Sequence, residues 1–164
     1  MKDLRERSPR VHCITNYVTA GDVANMVLAA GGSPVMAQGL HEVEDVTSIC
    51  SSLVLNLGTL EEKTIPAMEA AETACSLRDL TGAVVVMTGE EDVVAGKERR
   101  FIVRNGHPWM ARITGSGCML DGLMGAFCGL YGEPGLAGLT EEAAVTALSA
   151  HGLCGELAAA ETAK

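Results

Sequence analysis

The stretch RITGSGCMLDGLMGAF, residues 112–127, places a glycine-rich turn immediately before a run with helical character. Such a turn exposes backbone N–H groups that lack an acceptor within the helix, and the positive end of the helix dipole adds to their field. A thiol in the first turn, Cys118, has its thiolate favoured by the same field. The pattern predicts an anion site with a reactive thiol. A plain turn before a buried helix, with Cys118 as a small core residue, fits these residues alone equally well.

Outward from this turn, short apolar segments alternate with helical ones. Strands are predicted at residues 10–18, 33–37, 53–57 and 83–87, helices at 23–30, 41–51 and 59–77, a hairpin at 92–104, and two closing helices that begin near 116 and 140. Thr19 and Asp22 are predicted to form a capping box, and Gly31 with Gly32 to end the helix that follows. The alternation favours an α/β fold with a mostly parallel central sheet and helices on both faces.

Small polar residues follow three of the predicted segments, at 56–59, 88–90 and 114–117. In parallel α/β sheets, ligands bind beyond the carboxyl ends of the strands. These three stretches therefore form the predicted rim of a binding site.

The composition excludes several classes of protein. The 164 residues carry 21 acidic and 12 basic side chains, a net charge of −9, so no nucleic-acid partner is expected. The six cysteines include no CxxC pair, which argues against zinc-ribbon and thioredoxin-like sites. Residues 1–10 are charged, and no apolar run suggests a membrane span. We expect a single domain over residues 1–164, in the reducing cytoplasm and without a membrane partner.

Five segments, in chain order, carry a resemblance to one family. They are VHCITNYVTAGDVANMVLAAGGSPVMA (11–37), LVLNLGTL (53–60), VVVMTGEEDVV (84–94), NGHPWM (105–110) and ITGSGCML (113–120). Together they resemble hydroxyethylthiazole kinase. The resemblance implies a ribokinase-like fold and an enzyme of thiamine salvage. Its implied reaction is phosphorylation of the primary alcohol of 4-methyl-5-(2-hydroxyethyl)thiazole with ATP and Mg²⁺.

The resemblance implies substrate-binding roles for two residues near the N-terminus. Met36 matches the substrate-binding methionine, and Asn16 lies in the segment that lines the thiazole pocket. A methionine suits a flat sulfur heterocycle, because its thioether is polarizable and adaptable. A core methionine is the alternative interpretation of Met36.

Further roles are implied in and before the glycine-rich turn. Gly115 matches a substrate-contacting glycine, and Cys118 matches the residue at the catalytic-base position, where ribokinase relatives generally have aspartate. Thr88 and Gly117 are the implied nucleotide-binding residues, although a hydroxyl such as that of Thr88 is more often a turn or cap residue. The resemblance leaves the magnesium ligands unassigned.

Asp121 departs from the small hydroxyl residue that the family often has at this position. It lies three residues after Cys118 and hence on the same helix face. A carboxylate at Asp121 would disfavour the thiolate of Cys118 or serve as a second proton acceptor. The alternative is that Asp121 is a solvent-facing residue of the helix. Gly122, Gly125 and Gly129 fall along one side of the same helix, which predicts close packing rather than binding.

The middle of the chain is shorter than the family pattern. Near residues 69–82, the family has an Asp-Pro-Val-Gly loop and an Arg-Gly-Asn segment, which serve magnesium and ATP, and it has a C-terminal tail that this chain lacks. Either the sequence omits an internal stretch, or a deletion has removed part of the nucleotide site. The first is favoured, because a deletion would expose strand edges and helix faces. The second would leave a catalytically impaired thiazole-binding module.

The resemblance also implies a homotrimer with shared active sites. Met36 and Asn16 would come from one chain, and Gly115 and Cys118 from the next. The segment PVMAQGLHEV, residues 34–43, has the apolar start and few charges expected at the centre of an interface. A pocket within a single chain is the alternative.

Overall fold

The computed structural model describes residues 2–39, 41–56, 74–76, 79, 83–97, 99–131 and 140–162. The chain divides into two compact units. Unit 1 comprises Met1–Leu60 and Gly115–Leu139, and unit 2 comprises Glu61–Thr114 and Thr140–Lys164. The single kinase domain stays a prediction. The helix predicted at 59–77 lies outside the described residues except for 74–76, which are helical.

Unit 1 contains a three-stranded parallel sheet. Its elements are α1 (Lys2–Arg7), β1 (Arg10–Ile14), α2 (Ala20–Ala30), β2 (Ser33–Val35), α3 (Val43–Ser48), β3 (Ser52–Leu55) and α4 (Ser116–Tyr131). The strand order is β2-β1-β3, and His12 pairs with Val35 on one side and Leu53 on the other. The described strands are shorter than predicted, and α1 is an addition.

Helices cover both faces of this sheet, as the sequence predicts. Val11 and Cys13 of β1 are buried in the core that α2 and α4 complete with Val23, Val27 and Ala126. Successive strand residues point to opposite faces. On the opposite face, His12 Nε2 donates to the carbonyl of Ala37 at 2.7 Å, and His12 Nδ1 lies 2.8 Å from the hydroxyl of Thr47 in α3.

Glycines bring α4 close to the sheet and to α2, which confirms the predicted packing role. A Cβ on Gly125 would lie 2.5 Å from Val11 Cγ1, and one on Gly122 would lie 2.8 Å from the carbonyl oxygen of Val23. Gly129 is less crowded, since a Cβ there would lie 3.0 Å from Ser52 Oγ. The small residues let the start of α4 reach the carboxyl edge of the sheet.

The predicted capping box at Thr19 is wrong. Thr19 has φ −109° and ψ 2° and makes no side-chain cap hydrogen bond to α2. Its backbone N–H and its hydroxyl instead both donate to Asn16 Oδ1, at 3.1 Å. An N-cap side chain reaches the helix from extended backbone, which Thr19 does not adopt. The end of α2 is as predicted, with Gly31 at φ 104°.

Unit 2 contains an antiparallel sheet of order β4-β5-β6. Its elements are β4 (Val85–Met87), β5 (Asp92–Ala95), β6 (Arg100–Val103), a 3-10 helix (Pro108–Arg112) and α5 (Thr140–Thr162). The hairpin predicted within residues 92–104 is confirmed by the β5–β6 pairing. β4 also pairs antiparallel with β5, because the short connection between them reverses the chain and is too short for a parallel crossover.

Among the described residues, α5 is long and apolar enough by length and composition to cross a membrane. The expectation that no apolar run reaches such a length is therefore wrong. The core helix of a soluble protein passes the same test, and Ala143, Ala147 and Leu148 of α5 are buried. This one helix therefore does not show that the chain crosses a membrane.

Candidate active site

Two asparagine side chains converge on Cys118 at the carboxyl edge of the sheet in unit 1. Asn16 follows β1, Asn56 directly follows β3, and Cys118 lies in the first turn of α4. Asn16 Nδ2 donates to Cys118 Sγ at 3.5 Å, and Asn56 Nδ2 donates to the same sulfur at 3.3 Å. The sulfur is thus placed as a hydrogen-bond acceptor. A thiolate accepts such bonds far better than a thiol, because charged hydrogen bonds are the stronger ones.

Asp121 joins this cluster through Asn56. Asn56 Nδ2 donates to Asp121 Oδ2 at 2.7 Å as well as to Cys118. Burial raises the pKa of the Asp121 carboxyl to about 6, against the opposing effect of the Asn56 hydrogen bond. The solvent-facing interpretation of Asp121 is therefore wrong, because the packing of α4 against the sheet turns this face inward.

Two other thiols of unit 1, those of Cys13 and Cys128, are not reactive candidates. Burial, with a smaller contribution from Asp121, raises the pKa of Cys13 to about 12, and burial alone does the same for Cys128. Both therefore stay protonated at neutral pH. Cys118, by contrast, is only partly buried.

The start of α4 fits an anionic group. Gly115 adopts φ 81°, a conformation that L side chains rarely take, and a Cβ there would lie 2.9 Å from Thr19 Cγ2. Gly117 is exposed, and a Cβ on it would meet no atom within 4 Å. Among the described residues there is therefore space beside Gly117, in the first turn of this 16-residue helix, where backbone N–H groups lack intrahelical acceptors.

A buried hydroxyl beside Asn16 also lacks a partner. Thr15 is 8% exposed, and its Oγ1 makes no hydrogen bond in the described structure. Its carbonyl is engaged, because Gln38 Nε2 donates to it at 2.7 Å. Buried polar groups are normally paired, so Thr15 is a further candidate for ligand contact.

Met36 lies at the same edge of the sheet. It follows β2, the parallel neighbour of β1, and packs partly buried against the core cluster that Cys118 also touches. Five of the six predicted site residues therefore lie in unit 1: Asn16, Met36, Gly115, Gly117 and Cys118.

The predicted division of Asn16 and Cys118 between two chains is wrong. Asn16 Nδ2 donates to Cys118 Sγ of its own chain. The physical reason is the sheet: β1 ends beside the start of α4, so the loop after β1 and the first turn of α4 belong to one pocket.

Thr88 lies in unit 2, where it is exposed at the carboxyl end of β4. Its nucleotide-binding role stays a prediction, as does that of Gly117. Among the described residues, no group of three or more His, Cys, Asp and Glu side chains could hold a metal ion. The magnesium ligands remain unassigned.

Asn56, Thr15 and Thr19 are further candidate site residues, which the sequence patterns do not indicate as such. The signal for Asn56 was its position directly after a buried strand, within the predicted rim at 56–59. Thr19 precedes a helix, so its sequence position indicates helix capping and not the contact with Asn16. The contact of Asn56 with Cys118 and the contact of Thr19 with Asn16 depend on the tertiary structure, so the sequence alone does not predict them.

The raised pKa of Asp121 predicts a pH-dependent difference in stability between wild type and Asp121→Asn. The pKa is higher in the folded chain, so the stability contributed by the protonated carboxyl is complete below about pH 4 and is lost as the pH rises through about 6. We expect Asp121→Asn to be more stable than wild type at pH 8 by about 1–3 kcal/mol. Urea unfolding at pH 4 and pH 8 measures this, and a gap of equal size at both values would contradict it.

A family model described as the hydroxyethylthiazole kinase family matches residues 1–79 and 72–164 of this chain. A curated hydroxyethylthiazole kinase from Desulfovibrio desulfuricans is 35% identical over 235 residues, covering 95% of this chain and 80% of the relative. One from Clostridium acetobutylicum is 30% identical over 235 residues, covering 96% and 84%.

A solved structure of a hydroxyethylthiazole kinase protein from Pyrococcus horikoshii OT3 matches with a TM-score of 0.61 at 24% identity, covering 90% of each chain. This likeness confirms the ribokinase-like α/β fold. The alignments to the relatives are longer than this chain, 235 positions against 164 residues, so the relatives carry residues without a counterpart here. The two matched pieces of the family model meet at residues 72–79, within the region where the sequence predicts a gap.

Proposed function

Because this chain belongs to the hydroxyethylthiazole kinase family, we propose that it phosphorylates the hydroxyl of 4-methyl-5-(2-hydroxyethyl)thiazole with ATP. The observation that carries the proposal is the acceptor geometry at Cys118, where two asparagine amides donate to Sγ in the first turn of α4. Phosphoryl transfer depends on positioning and electrostatic stabilisation more than on covalent chemistry. A positioned acceptor next to an anion site meets both needs.

The residues of unit 1 divide the work between the alcohol and the phosphate. Cys118 Sγ takes the proton of the attacking hydroxyl, and the N–H groups from Gly115 to Gly117 stabilise charge on the transferring group. Mg²⁺, when bound, would neutralise charge on the nucleotide phosphates. Such an ion commonly takes only one or two protein carboxylates, so the described residues are compatible with it without forming a complete site.

Met36, Asn16 and Gly115 are the proposed thiazole contacts. Met36 offers a polarizable face to the ring, and the loop after β1 supplies polar groups, among them the unpaired hydroxyl of Thr15. A largely apolar wall with a few polar groups is typical of small-molecule sites.

A direct assay tests the proposal. Protein of confirmed intact mass is incubated with ATP, Mg²⁺ and the thiazole, and formation of the thiazole phosphate is followed with time. Turnover supports the kinase, whereas the absence of both turnover and thiazole binding contradicts it.

The second candidate is a thiazole-binding module with an impaired ATP site. It is favoured by the family-model match in two pieces and by the relatives' additional residues. Calorimetry separates the two: thiazole binding without ATP binding selects the module, and binding of both selects the kinase.

His12 gives no support to a thiol-dependent hydrolase. Such an enzyme pairs its cysteine with a histidine base. His12 is buried on the opposite face of β1, where both ring nitrogens contact Ala37 and Thr47.

We also propose a cytoplasmic homotrimer, now with Asn16 and Cys118 supplied by one chain. Tyr17 and Val18, beside Asn16, are each 84% exposed and offer an apolar surface that a neighbouring subunit could bury. A closed threefold ring uses two different patches on each subunit.

Mixing two inactive variants tests whether Met36 is shared between chains. If it is, a Met36→Arg chain mixed with a Cys118→Ala chain should regain activity above either parent, because some pockets then hold both native residues. The readout is phosphate transfer after subunit exchange, which a mass-tagged chain verifies. Proven exchange without recovery places Met36 and Cys118 in a pocket of one chain.

A further inference from the structure

One amide nitrogen links Asp121 to Cys118. Asn56 Nδ2 lies 2.7 Å from Asp121 Oδ2 and 3.3 Å from Cys118 Sγ, so its two hydrogens have two acceptors. An ionised carboxylate can only accept hydrogen bonds. The charge on Asp121 therefore requires the NH₂ end of the Asn56 amide at this position, and that same end makes the sulfur an acceptor.

Protonation of Asp121 removes this requirement. A neutral carboxyl group donates an O–H, for which the amide oxygen of Asn56 is the better partner. A half-turn of the amide brings Oδ1 into the place of Nδ2. The sulfur then faces an acceptor, which favours the thiol with its proton in place.

We propose that Asp121 is a positioning residue of the phosphoryl transfer, whose charge holds the Asn56 amide in the orientation that makes Cys118 a proton acceptor. The inference rests on the proposed kinase function. In the step, the O–H bond of the thiazole alcohol breaks and an S–H bond forms at the Cys118 thiolate. The alcohol oxygen bonds to the γ-phosphorus of ATP as the bond to the ADP oxygen breaks, and the thiol later releases its proton to water.

Among the described groups of this cluster, the Asp121 carboxyl is the one whose pKa is raised to about 6. From β1 it faces Cys13, whose thiol stays neutral because its pKa is about 12. The charged residue of α2 is Asp22. Its Oδ2 lies 3.7 Å from the position that a Cβ on Gly115 would occupy.

Among the described residues, the remaining elements packed against α4 place no charged side chain beside Asp121. β3 contains only Ser, Leu and Val. The charged residues of α1 lie before Pro9 in the chain. Pro9 lies beside Gly129 of α4, about two helical turns beyond Asp121.

The kinetic test compares wild type, Asp121→Asn and Asp22→Asn between pH 4.5 and 8.5. Wild-type kcat should fall about tenfold per pH unit below pH 6, as for one essential ionisation. Asp22→Asn should keep this acid limb. Asp121→Asn should lose the break near pH 6, with kcat at pH 7.5 reduced about 3–10-fold and the thiazole KM within about twofold. A limb that persists unchanged in Asp121→Asn overturns the inference.

A spectroscopic test keeps this inference separate from the kinase proposal. The side-chain amide signals of Asn56, followed by ¹⁵N NMR, should titrate near pH 6 in wild type and stay constant in Asp121→Asn and in Asp121→Ser. If the wild type is inactive but the Asn56 amide signals shift near pH 6, the coupling between Asp121 and Asn56 is supported. The kinase function then fails on its own. If the wild-type amide does not titrate, the inference fails whatever the activity.

Discussion

Replacing Cys118 by alanine is expected to lower kcat by about 10²–10⁴-fold, the usual effect of losing an acid–base group. The sulfur is the common acceptor of the Asn16 and Asn56 amides, at 3.5 and 3.3 Å, so its removal leaves the alcohol proton without a positioned acceptor. Thiazole affinity should change by less than about threefold, because the proposed ring contacts at Met36 remain. Initial rates with saturating ATP and calorimetry with the thiazole measure the two quantities.

Cys154→Ala is the control for this experiment. Cys154 is an exposed thiol of α5 in unit 2, so its loss should leave kcat unchanged. An unchanged rate in Cys118→Ala would remove Cys118 from the mechanism. Asp121 or a substrate phosphate would then be the proton acceptor to examine.

Gly125→Ala is expected to lower the free energy of unfolding by about 2 kcal/mol, the range typical of overpacking a core. Its added Cβ would lie 2.5 Å from Val11 Cγ1 and 2.7 Å from Val54 Cγ2. Both valines are short, stiff side chains on adjacent strands, so α4 itself must shift away from the sheet. Urea unfolding measures the loss.

Gly21→Ala adds the same single carbon to a helix without this contact. Gly21 is exposed in the first turn of α2, and a Cβ there would meet no atom within 4 Å. We expect this variant to gain roughly 0.5–1 kcal/mol, since alanine favours a helix over glycine. Equal effects of the two substitutions would show that α4 does not pack on the sheet as described.

The elements of unit 1 follow from local patterns. Alternating apolar strands and helices are visible in the chain, and Gly31 ends α2 at φ 104° because a left-handed residue there favours glycine. The spacing of Gly122, Gly125 and Gly129 likewise predicts the close approach of α4. Thr19 shows the limit of such patterns, since its side chain is held by Asn16 and not by the helix it precedes.

The sequence by itself determined the types of element, the glycine-rich start of α4 and, through the family resemblance, the cysteine at its first turn. Only the tertiary structure decided what surrounds that cysteine. Asn16 and Asn56 lie 102 and 62 residues from Cys118 along the chain, and no local preference relates such distant side chains. They meet because β1 and β3 are parallel neighbours that end at one edge of the sheet, where α4 begins. That placement assigns Asn16 and Cys118 to one chain, and it gives the carboxyl of Asp121 a partner that also contacts the sulfur.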